Sequence, residues 1–186
     1  MKFDEQSLAE ACQRADREGR KELYEQYAGR LLSVCLRYVS TRSEAEDLLH
    51  DSFLKIFGAI DRFTYRGKGS LRAWMERVTI NLVLERLRAK SKFIEVDIDQ
   101  DRTRYLVEEP QAEELDNIPT EILQRFIGEL PVGYRTVFNL YYIEEYSHRE
   151  IAQMLGIHEK SSSSQLFRAR QLLARKIKDY LNDGKA

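Results

Sequence analysis

The sequence contains few of the residues that mark secreted or metal-binding proteins. Only two of its 186 residues are cysteines, Cys12 and Cys35, which are too few for a disulfide framework and lack the spacing of a metal site. Both fall on apolar helical stripes, which predicts buried free thiols in a reducing cytosol. Residues 1–20 have no apolar core like that of a signal peptide, and no run of about 18 apolar residues occurs. We therefore expect a cytoplasmic protein without membrane insertion.

Motifs of known enzyme classes are also missing. The sequence has no glycine-rich phosphate loop, no paired-histidine metal motif and no nucleophile elbow. Asp47 and Asp51 form one carboxylate pair, but no matching set of ligands lies elsewhere. We expect no catalytic site, no cofactor and no metal ion. A metal-dependent enzyme built on scattered carboxylates is an alternative that metal analysis of the purified protein would test.

Proline is scarce, with three residues, whereas 33% of the residues are charged. Helical periodicity, without a strand pattern or an internal repeat, predicts an all-α protein. The periodicity is lost over residues 93–119, an acidic stretch that contains Pro110 and Pro119. We therefore predict two small helical domains, residues 1–92 and 120–186, joined by an acidic linker. No dimerisation heptads are present, so a monomer is expected.

Charge is segregated along the chain although the net charge is only −1. Residues 62–92 contain nine lysines and arginines against two glutamates, and residues 158–178 contain six against one glutamate. Between these blocks, residues 95–116 contain nine acidic residues against two arginines. Two basic blocks separated by an acidic connector indicate two surfaces that face nucleic acid. The alternative is chance segregation of surface charge.

The stretch from Tyr146 to Arg170 has the pattern of a helix-turn-helix. Ser147 and Glu150 predict a capping box, and Gly156 lies where a helix end favours a left-handed residue. The second helix has an apolar stripe (Leu166, Ala169, Leu173, Ile177) and a polar side (Ser164, Arg168, Gln171, Arg175). In such motifs the second helix enters the DNA major groove. An ordinary helical hairpin with a solvated basic face is the alternative.

Apolar spacing and caps predict the other helix boundaries. A first helix should end near Gly19 and a second should begin around Lys21. A third should begin with a capping box at Ser43 and Glu46 and run to about Ile60. In the C-terminal half, helices should begin at Thr120 and Pro131, and Val137, Phe138 and Tyr141 should form the apolar side of the second of these.

The third helix has two different faces. Its apolar stripe, which should pack inward, consists of Leu49, Phe53, Ile56, Phe57 and Ile60. The reverse side carries Asp47, Asp51 and Leu54, flanked by Leu48 and Lys55. An apolar side chain among carboxylates suits a basic partner helix, and a simply solvated face is the alternative.

A glycine-containing loop, FTYRGKGS, follows from Phe63 to Ser70. Aromatic and cationic side chains together favour single-stranded nucleic acid, because the rings stack on bases and the cations contact phosphates. Ser70 should begin the next helix, on which Arg77, Asn81 and Arg88 share one flank. An ordinary basic loop and a solvated helix face are the alternatives.

Three motifs, in this order, carry a resemblance to a known family. They are AEDLLHDSFLKIF (residues 45–57), SLRAWMERVTINLVLERLR (70–88) and LPVGYRTVFNLYYIEEYSHREIAQMLG (130–156). The chain resembles bacterial RNA polymerase sigma factors of the extracytoplasmic-function type (sigma-70 family, group 4), which contain only regions 2 and 4. The resemblance covers residues 20–180. It implies a region 2 helical bundle at 1–92 and a region 4 helix-turn-helix at 120–186.

The resemblance also implies roles for particular positions of the first domain. The third helix would dock on the β′ clamp helices of core polymerase through Asp47, Leu48, His50, Asp51 and Leu54. His50 stands where the family usually has Gln. The loop residues Phe63, Tyr65, Arg66 and Lys68 would capture a flipped base of the −10 element, assisted by Arg77, Asn81 and Arg88. Glu85 replaces the Asp of the family's N-x-x-x-D-x-x-R.

In the second domain the resemblance implies contacts with the −35 element from Ser163, Ser164, Phe167, Arg168 and Gln171. Many family members carry a basic residue at or beside position 163, whereas this chain has four serines at 161–164. Serine is a mediocre helix former, so the run would either fray the helix start or let small hydroxyls approach the phosphates.

The resemblance thus implies a transcription-initiation specificity factor, not an enzyme. Its partners would be core RNA polymerase (β′ clamp helices and β flap), promoter DNA and an anti-sigma factor. The alternative is a helical interaction protein that binds polymerase or a sigma factor without reading DNA. A dimeric one-domain repressor would instead bind its operator tightly without polymerase.

Overall fold

The computed structural model describes residues 4–89 and 118–183, together with Pro110. All regular secondary structure within these residues is helical, which confirms the predicted all-α class. The chain divides into two compact units, Met1–Ala89 and Lys90–Ala186, and each is described separately below. Most of the predicted linker at 93–119 lies outside the described residues. No helix in the described part of the chain is long and apolar enough to cross a membrane.

The first unit is a bundle of four α-helices. They are α1 (Glu5–Gln13), α2 (Arg17–Leu36), α3 (Arg42–Ala59) and α4 (Ser70–Ala89), with a 3₁₀ turn, Ile60–Arg62, after α3. The predicted stripe of α3 packs inward, together with Leu8, Leu23, Leu31, Leu71 and Met75 from the other helices. Burying each of these side chains stabilises the unit by about 1.5–3 kcal/mol before entropy is counted.

Two predicted helix ends in this unit are wrong. Gly19 does not end a helix; it lies in the first turn of α2, where its amide donates to the Asp16 carboxylate (2.9 Å). A Cβ at Gly19 would lie 2.7 Å from Cβ of Ala11, so the glycine allows α1 and α2 to approach closely. The N-cap of α3 is Thr41, not Ser43, and its hydroxyl accepts from the Glu44 amide (3.3 Å).

The second unit contains α5 (Thr120–Gly128), α6 (Val132–Tyr142), α7 (His148–Leu155) and α8 (Glu159–Asp183). The predicted start at Thr120 is confirmed, and Pro131 immediately precedes α6. The core joins Phe126, Leu130 and Tyr134 to Ala169, Leu173 and Ile177 of the predicted apolar stripe of α8, and Leu166 of that stripe is also buried. The long α8 therefore has a C-terminal half that builds the core.

The apolar side of α6 differs from the prediction. Val137 is buried, but Tyr141 is 37% exposed and Phe138 is half-buried. Arg135 is buried instead, and its Nη1 donates to the Gly128 carbonyl at the end of α5 (2.6 Å). A guanidinium thus satisfies a carbonyl that the end of α5 leaves without a helical partner. Apolar periodicity does not reveal such a contact.

Candidate functional site

The outer face of α3 carries most of the residues expected to bind polymerase. Asp47, His50 and Leu54 are exposed and Asp51 is partly exposed; their spacing of three and four residues places them on one side of the helix. Leu54 leaves 59% of its surface accessible. An apolar side chain therefore lies in a polar, partly acidic surface, as the sequence predicts.

Leu48 does not belong to this exposed face. Its side chain is only 4% exposed, and the next residue on the same inward row, Ser52, is fully buried. The Ser52 hydroxyl donates to the Leu48 carbonyl (2.6 Å). Leu48 lies three residues after the buried Ala45 and four before Ser52, so it belongs to a buried row of α3 and its side chain faces inward. Its predicted direct contact with a partner is therefore not available in this fold.

Helix α4 supplies two charges to the edge of this face. Arg86 pairs with Asp51, and Lys55 pairs with Glu85. The hydrogen bond that Lys55 donates lowers the pKa of the Glu85 carboxyl below its usual value. No local pattern in the sequence marks Arg86, because only the packing of α3 on α4 brings it to Asp51.

The loop before α4 divides its aromatic and cationic residues between core and solvent. Phe63 is 8% exposed, and its ring lies 5.2 Å from that of Trp74. Tyr65 is half-buried against the same core, whereas Arg66 and Lys68 are exposed. Phe63 is therefore a core residue and does not offer a free ring to a base, because its packing against Trp74 already covers it.

Two glycines give this loop its shape. Gly67 has φ +115° and Gly69 has φ +90°, a region that side chains with a Cβ rarely adopt. The Ser70 amide donates to the Gly67 carbonyl (3.1 Å), and the Ser70 hydroxyl accepts from the Arg66 amide (3.1 Å). The loop therefore makes a tight turn that displays Arg66 and Lys68.

Helix α1 contacts both ends of this loop, through residues that the sequence analysis did not single out. The Glu5 carboxylate accepts from backbone amides at the start of α4, and the Gln13 amide group donates to the carbonyls of Ile60, which begins the 3₁₀ turn, and of Phe63, which follows it. No local signal identifies these two residues, because their partners lie about fifty or more positions away in the sequence.

The flank of α4 is arranged as predicted. Arg77, Asn81 and Arg88 are all exposed, while Leu71, Met75 and Leu82 face inward. An amide group between two guanidinium groups is suited to contact a base edge and the adjacent phosphates. The face begins directly after the loop in the sequence, since α4 starts at Ser70.

The helix-turn-helix has the predicted local geometry. Ser147 and Glu150 form a capping box at the start of α7, and Gly156 ends that helix with φ +69°. The serine run does not fray α8, which begins at Glu159. The Ser163 hydroxyl donates to the Glu159 carbonyl (3.2 Å), and Ser162 is fully buried with its hydroxyl 2.9 Å from Nδ1 of His148.

The residues predicted to contact the −35 element lie on the outer side of α8. Ser163 is exposed and Phe167 is 42% exposed, whereas Ser164, Arg168 and Gln171 are half-buried. The last three make further intramolecular interactions. This surface combines hydroxyl, aromatic, guanidinium and amide groups within two helical turns, a composition suited to phosphates and base edges.

Comparison with known proteins identifies the two units. Residues 23–93 match the family described as "Sigma-70 region 2", and residues 120–173 match "Sigma-70, region 4". The chain is 28% identical over 162 residues to the ECF RNA polymerase sigma factor SigE of Mycolicibacterium smegmatis, which covers 86% of this chain and 60% of that relative. It is 27% identical over 175 residues to SigW of Bacillus subtilis, covering 89% and 92%.

A solved structure of CnrH in complex with the cytosolic domain of CnrY is also similar, with 21% identity and a TM-score of 0.45; 96% of this chain and 97% of that chain are covered. Both family matches fall on the units described above, in the order region 2 then region 4. The chain therefore belongs to the extracytoplasmic-function sigma factors of bacterial RNA polymerase, which are transcription-initiation factors and not enzymes.

Proposed function

We propose that this sigma factor docks on core polymerase through α3, traps melted −10 bases with the loop and flank of α4, and contacts the −35 duplex with α8. The observation that carries this proposal is the exposure of Arg77, Asn81 and Arg88 on one flank of α4, directly after a loop that displays two cations. Captured bases offset the free-energy cost of melting, so no nucleotide hydrolysis is needed.

The docking surface is the α3 face formed by Asp47, His50, Asp51 and Leu54. Leu54 supplies apolar area, while the carboxylates favour a basic partner such as the β′ clamp helices. At the edge of this face, Arg86 pairs with Asp51 and Lys55 pairs with Glu85. We propose the β flap as a second polymerase contact and an anti-sigma factor as a regulatory partner, both from family membership alone.

Substitutions in each DNA-contacting surface test the proposal. We expect Asn81→Ala and Arg168→Ala to reduce promoter-specific transcription by tenfold or more, while binding of core polymerase stays at the wild-type level. Matched controls are Ser33→Ala, an exposed hydroxyl on α2 that donates within its own helix, and Arg125→Ala, an exposed arginine of α5 outside the helix-turn-helix. Unchanged transcription in both test variants would support the interaction protein that does not read DNA.

A further inference from the structure

The loop from Phe63 to Gly69 is held at both ends by one rigid element, α1. At its first end, Nε2 of Gln13 donates to the carbonyls of Ile60 (3.1 Å) and Phe63 (2.9 Å). At its second end, the Glu5 carboxylate accepts from the amides of Gly69, Leu71 (2.8 Å) and Arg72 (3.3 Å). Glu5 and Gln13 are eight residues apart, so α1 separates the two anchoring groups by roughly 12 Å.

The second anchor replaces the usual N-cap of α4. The first amides of a helix have no partner within it, and an anion there is favoured by those donors and by the helix dipole. Ser70 begins α4, but its hydroxyl accepts from the Arg66 amide inside the loop. The cap of α4 therefore comes from another helix, and breaking it frees the loop and the helix start together.

Helix α1 is itself fixed to the core. Leu8, Ala9 and Cys12 are buried between the two anchoring residues, and each is at most 2% exposed. The loop, in contrast, contains two glycines with positive φ, which leave an unanchored chain many backbone conformations. The loop's order therefore comes from its anchored ends, from the packing of Phe63 and Tyr65, and from the two hydrogen bonds that Ser70 makes within the turn.

We propose that Glu5 and Gln13 are positioning residues for −10 recognition: through α1 they preform the loop that captures the melted base. This inference rests on the proposed role of the loop. A preformed loop avoids the entropy cost of ordering at the moment of binding, so the anchors strengthen base capture without contacting DNA. They act separately from polymerase docking, which uses the outer face of α3.

The test uses holoenzyme assembled from core polymerase and the full-length protein. The probe is a fluorescent single-stranded oligonucleotide with the non-template −10 sequence of a promoter mapped by run-off transcription. We expect Glu5→Ala and Gln13→Ala to weaken its binding about tenfold each. Glu5→Gln should recover part of the loss, because its amide oxygen still accepts from Leu71 and Arg72. Core binding and affinity for a −35 duplex should not change.

Two controls separate positioning from stability. Glu10→Ala changes an exposed carboxylate of the same helix that accepts from Gln6, and should have no effect on the probe. Leu31→Ala, on α2, removes a fully buried side chain outside α1 and lowers thermal stability without changing either anchor. In hydrogen exchange on the folded protein, the amides of residues 69–72 should exchange faster in Glu5→Ala than in Leu31→Ala at matched stability.

Three outcomes decide the proposal. Weaker probe binding in both anchor variants, with wild-type binding in the two controls, supports it. Wild-type binding in the anchor variants, while Arg66→Ala and Lys68→Ala weaken binding, overturns the positioning role and leaves the proposed function intact. Probe binding unchanged in Arg66→Ala and Lys68→Ala overturns the role of the loop, and the inference falls with it.

Discussion

Leu54 and Leu48 lie on the same helix, but Leu54 is on its exposed face and Leu48 is part of the core. Leu54 is 59% exposed and Leu48 is 4% exposed. We predict that Leu54→Ala weakens binding to core polymerase roughly tenfold, because apolar area is no longer buried on docking, and leaves the melting temperature unchanged. Leu48→Ala should instead destabilise the protein by about 2–5 kcal/mol through a cavity. Fluorescence titration with core enzyme and thermal unfolding of both variants would check this; equal effects of the two on binding, at matched stability, would contradict it.

The two cysteines are predicted to be inert in the folded protein. Both are fully buried, and burial raises the pKa of the Cys12 thiol to about 11 and that of Cys35 to about 12. Because the thiolate is the reactive form, labelling by a thiol reagent at neutral pH should proceed only as fast as the first unit opens. A stoichiometric fast phase in native protein would show that the thiols are accessible.

The same two thiols should make the protein less stable as the pH rises above about 9. Their pKa values are raised by folding, so the folded state retains protons that the unfolded chain loses. This contribution is fully present below the unfolded thiol pKa near 9 and is lost as pH rises toward about 11 to 12. Denaturant unfolding between pH 8 and 11 should show a steeper loss of stability in wild type than in a variant with both cysteines replaced by alanine.

At the scale of elements, the turn between α6 and α7 contains a strained residue. Glu145 has φ +59°, which is unfavourable for a residue with a Cβ. We predict that Glu145→Gly raises the free energy of unfolding of the second unit by about 0.5–1 kcal/mol, because relief of strain exceeds the added chain entropy. Chemical denaturation measures the change, with Glu121→Gly on α5 as a control that should destabilise. A destabilising effect of Glu145→Gly would mean that its side chain makes a compensating contact.

The first two turns of α8 contain one buried serine and one exposed serine. Ser162 is fully buried against His148, whereas Ser163 is exposed. Ser162→Ala should lower stability by about 1 kcal/mol, the usual cost of a lost buried hydrogen bond. Ser163→Ala should leave stability unchanged and reduce transcription from a promoter that depends on its −35 element. Thermal melts and run-off assays on the pair distinguish the roles, and a reversed pattern would place the wrong serine at the DNA.

Where local signals are strong, the sequence predicts these elements well. Ser147 and Gly156 start and end α7 as expected, since capping and left-handed preferences act over a few residues. Tertiary contacts defeat prediction elsewhere. Close packing on Ala11, not helix termination, explains Gly19. Phe63 faces the core because its ring packs against that of Trp74. Residues in a loop follow no regular periodicity, so the sequence does not show which side chains point inward.

The anchors of α1 show the same limit for the candidate site. Exposed residues on α3, α4 and α8 follow from helical spacing and from resemblance to the family. Glu5 and Gln13 follow from neither, because their roles depend on backbone groups more than forty positions away. Their partners are main-chain atoms, so no pattern of side-chain types in the sequence marks the contact.

At the scale of the whole molecule, two units with separate cores carry the surfaces that we propose contact one promoter. The net charge is only −1, and the acidic stretch of residues 95–116 opposes the two basic blocks. Affinity for DNA without polymerase should therefore be weak, because it depends on few phosphate contacts. It should also fall with added salt, because each phosphate contact releases bound counterions. We therefore expect promoter specificity to appear only when core enzyme holds both units on DNA at once.

Run-off transcription with purified core polymerase over a pool of genomic promoter fragments, with and without this protein, tests the central claim most directly. We predict discrete start sites that appear only with the protein and share two sequence elements at a fixed spacing. A pull-down on core enzyme from the same reactions shows whether the α3 face has docked. Binding to core without any specific start site would contradict the proposed promoter recognition, and no binding at all would contradict the docking role of α3.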